Sequence, residues 1–292
     1  MKKLQSIFLS ALLLLAISCN KNNDDAPELE QEVDKTANLL ATGDSANDIL
    51  SNASFDKILI QIGFVTGFRP TNAAMQEFTA FLRERTFKED IEVIYTELES
   101  PEEENLTLQE IDELERENRT AYNNGKTLAI YIYFADAPAV GDEGDEGIVT
   151  LGAVYRNTSM VIHEVTVRRL AAQSSFITNA DVEAATLNHE FGHLFGLVNL
   201  GTPAINDHED PDALNHCNVQ GCLMRAQLQF GGPSGRSSIL ASKSSYEGGI
   251  KAGCILSGQN VLNLLQSNTG KNSAAPGLDA ECILDIQANG GR

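Results

Sequence analysis

The chain has 292 residues, 42% of them apolar, with 21 Lys plus Arg against 41 Asp plus Glu and a formal net charge of -20. That apolar fraction can build a core, so a chain disordered throughout is excluded. The acid excess argues against nucleic acid as a partner and against charge-driven docking on an anionic membrane, because both are bound through clustered Lys and Arg. Five cysteines are an odd number, so one must do something other than pair.

Residues 1–18 have the layout of an export signal. Lys2 and Lys3 make a basic start, Ile7 to Ile17 is almost wholly apolar, and a polar run from Asn20 to Asp25 follows. The apolar stretch is too short to span a bilayer. Ala16-Ile17-Ser18-Cys19 resembles the lipobox of bacterial lipoproteins, with Ser18 where Gly or Ala is commoner. The resemblance implies cleavage before Cys19, acylation of Cys19, and a protein held in the bacterial cell envelope, on the periplasmic face or the cell surface, by its lipid. Residues 19–54 are rich in Asn, Asp, Glu, Ala and Ser and read as a flexible tether with a helical patch near Val33 to Leu40.

Packed structure is expected from Asp56. Lys57 to Val65 (KILIQIGFV) is apolar and β-branched enough for a buried strand. Thr71 can cap a helix to about Phe87, with Ala74, Phe78, Phe81 and Leu82 on one face. Ile91 to Leu98 alternates as a strand does, Thr107 with Glu110 makes a capping box for a helix to about Tyr122, and Thr127 to Phe134 is a third strand. This alternation predicts an α/β fold with a mixed, mostly parallel twisted sheet and packing helices. Asp142 to Gly147 (DEGDEG) is an acidic turn whose spacing does not fit an EF-hand loop, and a solvated hairpin is expected there. Ile148 to Tyr155 and Ser159 to His163 read as two further strands.

The chemistry lies after Thr178. Asn179 to Leu197 (NADVEAATLNHEFGHLFGL) reads as a helix containing His189-Glu190-Phe191-Gly192-His193. Histidines four apart stack on one helix face and can close on one ion, while Glu190 beside them can reach a metal-bound water as a general base without ligating the metal. Gly196 can take the left-handed conformation that ends a helix and turn the chain back beneath the histidines.

Together with His216-Cys217-Asn218-Val219-Gln220-Gly221-Cys222-Leu223-Met224, this arrangement resembles the metzincin clan of zinc peptidases, and within it the archaemetzincins. The resemblance spans about residues 56 to 224. It implies a zincin-like fold, one catalytic Zn2+ held by His189, His193 and a third ligand, Glu190 as catalytic base, and Met224 in a methionine turn below the metal. Asn199 stands where the third histidine usually falls, and a neutral amide oxygen is a weak zinc donor. The segment from Val198 to Asn215 then reads as an insertion, with His216 as third ligand and His208 as runner-up. Asp207, Glu209, Asp210 and Asp212 offer a structural Ca2+ as a further alternative.

In archaemetzincins the cysteine pair near the third ligand joins a downstream CxxC in a second zinc site. Here Cys254 and Cys282 are 28 apart and form no CxxC. For an exported chain, disulfides among Cys217, Cys222, Cys254 and Cys282 are expected instead. His163, with no second histidine at metal spacing, reads as a strand or helix-start residue. The expected organisation is a catalytic subdomain over 55–197 and a small irregular C-terminal subdomain over 198–292, with helices near Ile250 to Leu265 and Asp279 to Gln287. The expected function is lipid-anchored zinc endopeptidase, a monomer acting on protein or peptide through a Glu-activated water. The alternative is an inactive zinc-binding or adhesion module of the envelope.

Overall fold

Successive side chains of a strand face opposite sides of its sheet, so a strand apolar on both sides belongs inside a layered fold. The computed structural model of the chain describes residues 33–142, 149–173, 175, 177–226 and 277–292. Within it, β1 (Lys57–Val65), β2 (Asp90–Leu98), β3 (Thr127–Ala135), β4 (Gly152–Arg156) and β5 (Ser159–His163) form one sheet in the order β2-β1-β3-β5-β4. Three strand pairs are parallel, and β4 closes one edge antiparallel to β5. This is the mixed, mostly parallel α/β sheet that the element order predicts.

The pleat sorts the core. Ile58, Ile60 and Ile62 of β1 and Leu128, Ile130, Ile132 and Phe134 of β3 pack on one face. They meet α1 (Ala46–Leu50), α2 (Asn72–Arg85), α4 (Glu164–Ala171) and α5 (Asn179–Leu194). Tyr131, Tyr133 and Ala135 of β3 point to the other face, where Ile111 of α3 (Leu108–Asn118) covers them. Thr71 caps α2 by accepting from the Ala74 amide, and Thr107 with Glu110 forms the expected capping box of α3. A second capping box, Thr178 with Asp181, starts α5. The helix α4 has no counterpart in the sequence reading. Its eight residues hide Val167, Leu170 and Ala171 on one face, too short a run to stand out by periodicity.

The expected tether through residue 54 is corrected in its second half. Ile49 and Leu50 are fully buried in the main core, and the Asn38 amide donates to the Ala129 carbonyl and the Thr158 hydroxyl. Lys88 fastens the same segment: its ammonium donates to the carbonyls of Asp48, Ser51 and Phe55. Burial pushes this lysine's pKa down to about 8. Composition misled here because a polar segment can be ordered by a few buried apolar residues, Ile49 and Leu50, and by bonds to the central strand β3 and the turn after β4.

Residues 1–32, including the expected signal and Cys19, lie outside the described residues, as do DEGDEG from Glu143 to Gly147, Cys254 and the expected helix near Ile250 to Leu265. The last described helix, α6 (Ala280–Ala288), puts Cys282 and Ile286 into the same core cluster as the sheet. Within the expected insertion, the short strands β6 (Glu209–Asp210) and β7 (Ala213–Cys217) pair antiparallel.

Candidate metal centre

Every residue of α5 from Val182 to Leu194 is buried, yet Glu183, Thr186, Asn188, His189, Glu190 and His193 are polar. A helix threaded this deeply keeps such side chains only where each is partnered or used. His189 and His193 turn their Nε2 atoms toward each other at 3.2 Å. His216, at the end of β7, stacks beside them with ring centroids 5.5 Å from His189 and 5.1 Å from His193. One ligand atom from each of the three lies within 4.8 Å of the others.

The tautomers are set from behind. His189 Nδ1 donates to the Leu223 carbonyl at 2.7 Å and His216 Nδ1 to the Leu214 carbonyl at 3.0 Å, which leaves both Nε2 lone pairs facing inward. Burial lowers all three imidazole pKa values, His189 to about 3, His216 to about 4, and His193 well below the usual range. They are therefore neutral donors at ordinary pH. His193 Nε2 stands 3.2 Å from His189 Nε2, a spacing at which both atoms can ligate one cation once His193 carries its proton on Nδ1. With Zn–N bonds of about 2.0–2.1 Å, tetrahedral zinc places its nitrogens about 3.3 Å apart. The histidine geometry therefore fits zinc.

Glu190 is completely buried, and among the described residues neither carboxyl oxygen has a hydrogen-bond partner of ordinary geometry. Burial pushes its pKa well above the usual carboxyl range, opposed in part by the Val154 backbone amide of β4. The edge strand makes room for it: a Cβ on Gly152 would fall 2.9 Å from Glu190 Cγ. Below the histidines, Met224 packs against Gly192, where a Cβ would fall 2.3 Å from the Met224 sulfur. The helix ends as expected at Gly196, whose φ of +77° few other residues tolerate.

Asn199 bonds within the insertion. Its amide donates to Glu209 Oε2 and accepts from the Ala204 amide, bracing the insertion. Glu209 also accepts from the Asn215 amide, and Asp210 from the Asp212 amide, so these two carboxylates serve the hairpin. His163 ends β5 and bonds the Ala137 carbonyl, as a strand-end residue.

Two expectations for the neighbouring residues are corrected. His208 falls outside the group of His189, His193 and His216. It belongs to a second group in which His208, Cys217, Asp279 and Cys282 bring ligand atoms within 4.8 Å of one another. Cys217, Cys222 and Cys282 are free thiols and not disulfides. Cys222 and Cys282 have sulfurs 3.7 Å apart, against about 2.03–2.05 Å for a bond. His208 Nδ1 stands 3.4 Å from Cys217 Sγ and 4.0 Å from Cys282 Sγ. Tetrahedral zinc with Zn–S bonds of about 2.3 Å spaces two sulfurs about 3.8 Å apart and a sulfur and nitrogen about 3.5 Å apart. The group fits that ion, with Cys222 or Asp279 as fourth donor.

His208 Nε2 bonds Asp285 at 2.8 Å, both side chains being buried, which directs Nδ1 toward the sulfurs. Burial lowers the His208 pKa, but its bonds to Cys217 and Asp285 outweigh this and raise it. Contacts from Cys222 and Cys282 hold the Cys217 thiol well below the usual range, favouring a thiolate. Asp279 caps α6 and Asp285 lies within it, 62 residues beyond Cys217 and 77 beyond His208, and no spacing rule in the sequence announces them.

Fold and site together define a mixed α/β chain in which three imidazoles converge, two from the buried helix α5 and one from β7. No family profile matches the chain, and no curated protein matches it in sequence. Among solved structures it is similar to archaemetzincin from Methanopyrus kandleri, at 14% identity and a TM-score of 0.42, over 81% of this chain and 96% of that one.

Proposed function

We propose that this chain is a zinc-dependent endopeptidase of the bacterial cell envelope, held there by a lipid on Cys19. The observation that carries the reading is the inward convergence of three neutral imidazoles beside an unbonded buried carboxyl. His189, His193 and His216 would hold one Zn2+, and His208, Cys217 and Cys282 a second, structural one. When bound among the imidazoles, zinc supplies a Lewis acid that polarises a peptide carbonyl and acidifies water.

The remaining steps belong to the chain. Glu190 takes the proton of the attacking water and delivers it to the departing amine. Leu223 and Leu214 carbonyls keep His189 and His216 in the ligating tautomer. Met224 is a packing floor. An inactive zinc-binding module would follow if Asn199 left the site without a third ligand; the His216 ring, 5.5 Å from His189 and 5.1 Å from His193, supports the catalytic reading. Export and anchoring are supported by the basic start, the apolar run and the Ser18-Cys19 junction.

Hydrolysis of an unfolded protein substrate tests the reading. Glu190→Gln should retain its zinc and lose turnover, with kcat down at least about 100-fold. His189→Ala should lose both. A Glu190→Gln variant as fast as the parent removes Glu190 as the base.

A further inference from the structure

The nine residues from His216 to Met224 belong to both clusters. His216 faces the imidazoles, and the next residue, Cys217, faces His208 and the sulfurs. At the other end Cys222 approaches Cys282, while its neighbours Leu223 and Met224 serve the first site, Leu223 through the His189 bond and Met224 beneath Gly192. The loop is closed on itself by the Cys217 amide donating to the Met224 carbonyl at 2.8 Å. Two cysteine sulfurs accept backbone amides within it, Val219 to Cys217 and Met224 to Cys222, each at 3.3 Å. The Asn218 amide donates to the His208 carbonyl, and the Leu223 amide to the Gly277 carbonyl ahead of α6. Asn215, just before His216, has a φ of +64°, so the approach to the ligand is a specific turn that depends on what holds its far side.

We propose that His208, Cys217 and Cys282 are positioning residues for the three-imidazole site, so that the two metal sites load cooperatively. This rests on reading both clusters as zinc sites. An ion among the sulfurs fixes Cys217 and Cys222 relative to α6. It thereby fixes His216 at one end of the loop and the carbonyl that orients His189 at the other. Without it, His216 must be ordered when the first site binds, and that cost weakens binding there. By linkage the converse holds equally: filling the imidazole site orders the same loop for the sulfurs.

The test is zinc titration of the purified full chain against a chromophoric chelator, with cobalt(II) spectra to tell the thiolate-rich site from the imidazole site. The parent should bind two ions. His208→Ala, which leaves all three imidazoles in place, should weaken the imidazole site about tenfold or more. His193→Ala should weaken the sulfur site by the same factor, and His208→Cys, which restores a ligand, should recover the imidazole site. Should His208→Ala fail to fold, Asp285→Asn keeps every ligand and should show the same effect more weakly. A parent that binds fewer than two ions overturns the two-site reading and the coupling with it. Two ions, with imidazole-site affinity unchanged in His208→Ala or in Asp285→Asn, overturn the coupling alone.

Discussion

Gly152 and Gly192 show how narrowly single residues set the site. A methyl group at Gly192 would press on the buried Met224 sulfur, which must then shift within a filled core. Such overpacking costs about 1–3 kcal/mol. Gly192→Ala should therefore lower the denaturant midpoint and loosen metal binding, a change read by unfolding curves with and without zinc. Gly152→Ala acts on the carboxyl instead, since its methyl meets Glu190 Cγ and Thr186 Cγ2. Displacing a catalytic group by about 1 Å can cost about 100-fold in rate. Gly152→Ala should thus lose kcat of that order while zinc content stays at the parent's level, and a variant that keeps full turnover would show that Glu190 tolerates the shift.

At the scale of elements, the starts of α2, α4 and α5 meet at two buried carboxyl groups. Glu183 accepts from the Thr71 amide and hydroxyl, Glu164 from Arg168, and the Asn179 amide donates to both. Burial first, then the neighbouring Glu183 charge, raises the Glu164 pKa to about 8. The folded state therefore holds a proton that the unfolded chain releases near 4.5. This contribution to stability is complete below the unfolded value and is lost as pH rises through about 8. The loss is on the order of a few kcal/mol, and chemical denaturation between pH 5 and about 8.5 should show it as a falling stability. Glu164→Gln should flatten that fall, and an equal slope in the variant would place the titration elsewhere.

The same elements show what was legible beforehand. Strong patterns carried through: KILIQIGFV and TLAIYIYF are strands, Thr107 with Glu110 caps a helix, and the HEFGH run is on one. His189, Glu190 and His193 could be singled out because helical spacing puts the two histidines on one face, and His216 only through the resemblance of the His216 to Met224 run; the structure brings the three histidines together. His208, Cys282 and Asp285 could not be grouped, since they meet only after the insertion and α6 fold against each other. Counting cysteines suggested pairs, whereas a histidine from the insertion turns the same sulfurs toward ligation.

For the whole molecule, the core extends from α1 to α6, so residues far from the sheet in sequence share in its stability. A chain beginning at Asp56 lacks Ile49, Leu50 and the Asn38 bonds, and exposes the Lys88 ammonium. Losing two buried aliphatic side chains alone costs about 2–5 kcal/mol each. Thermal unfolding should therefore find it far less stable than a chain beginning at Val33, if it folds at all. Equal midpoints would mean that residues 33–55 are accessory after all.

The central claim is that His189, His193 and His216 together hold a zinc ion beside Glu190. Crystallographic anomalous scattering at the zinc edge tests it directly on metal-loaded protein. A peak is expected about 2.0–2.1 Å from the Nε2 atoms of all three histidines. Zinc held by His189 and His193 with His208, or no peak at the imidazoles of a zinc-saturated crystal, would contradict it.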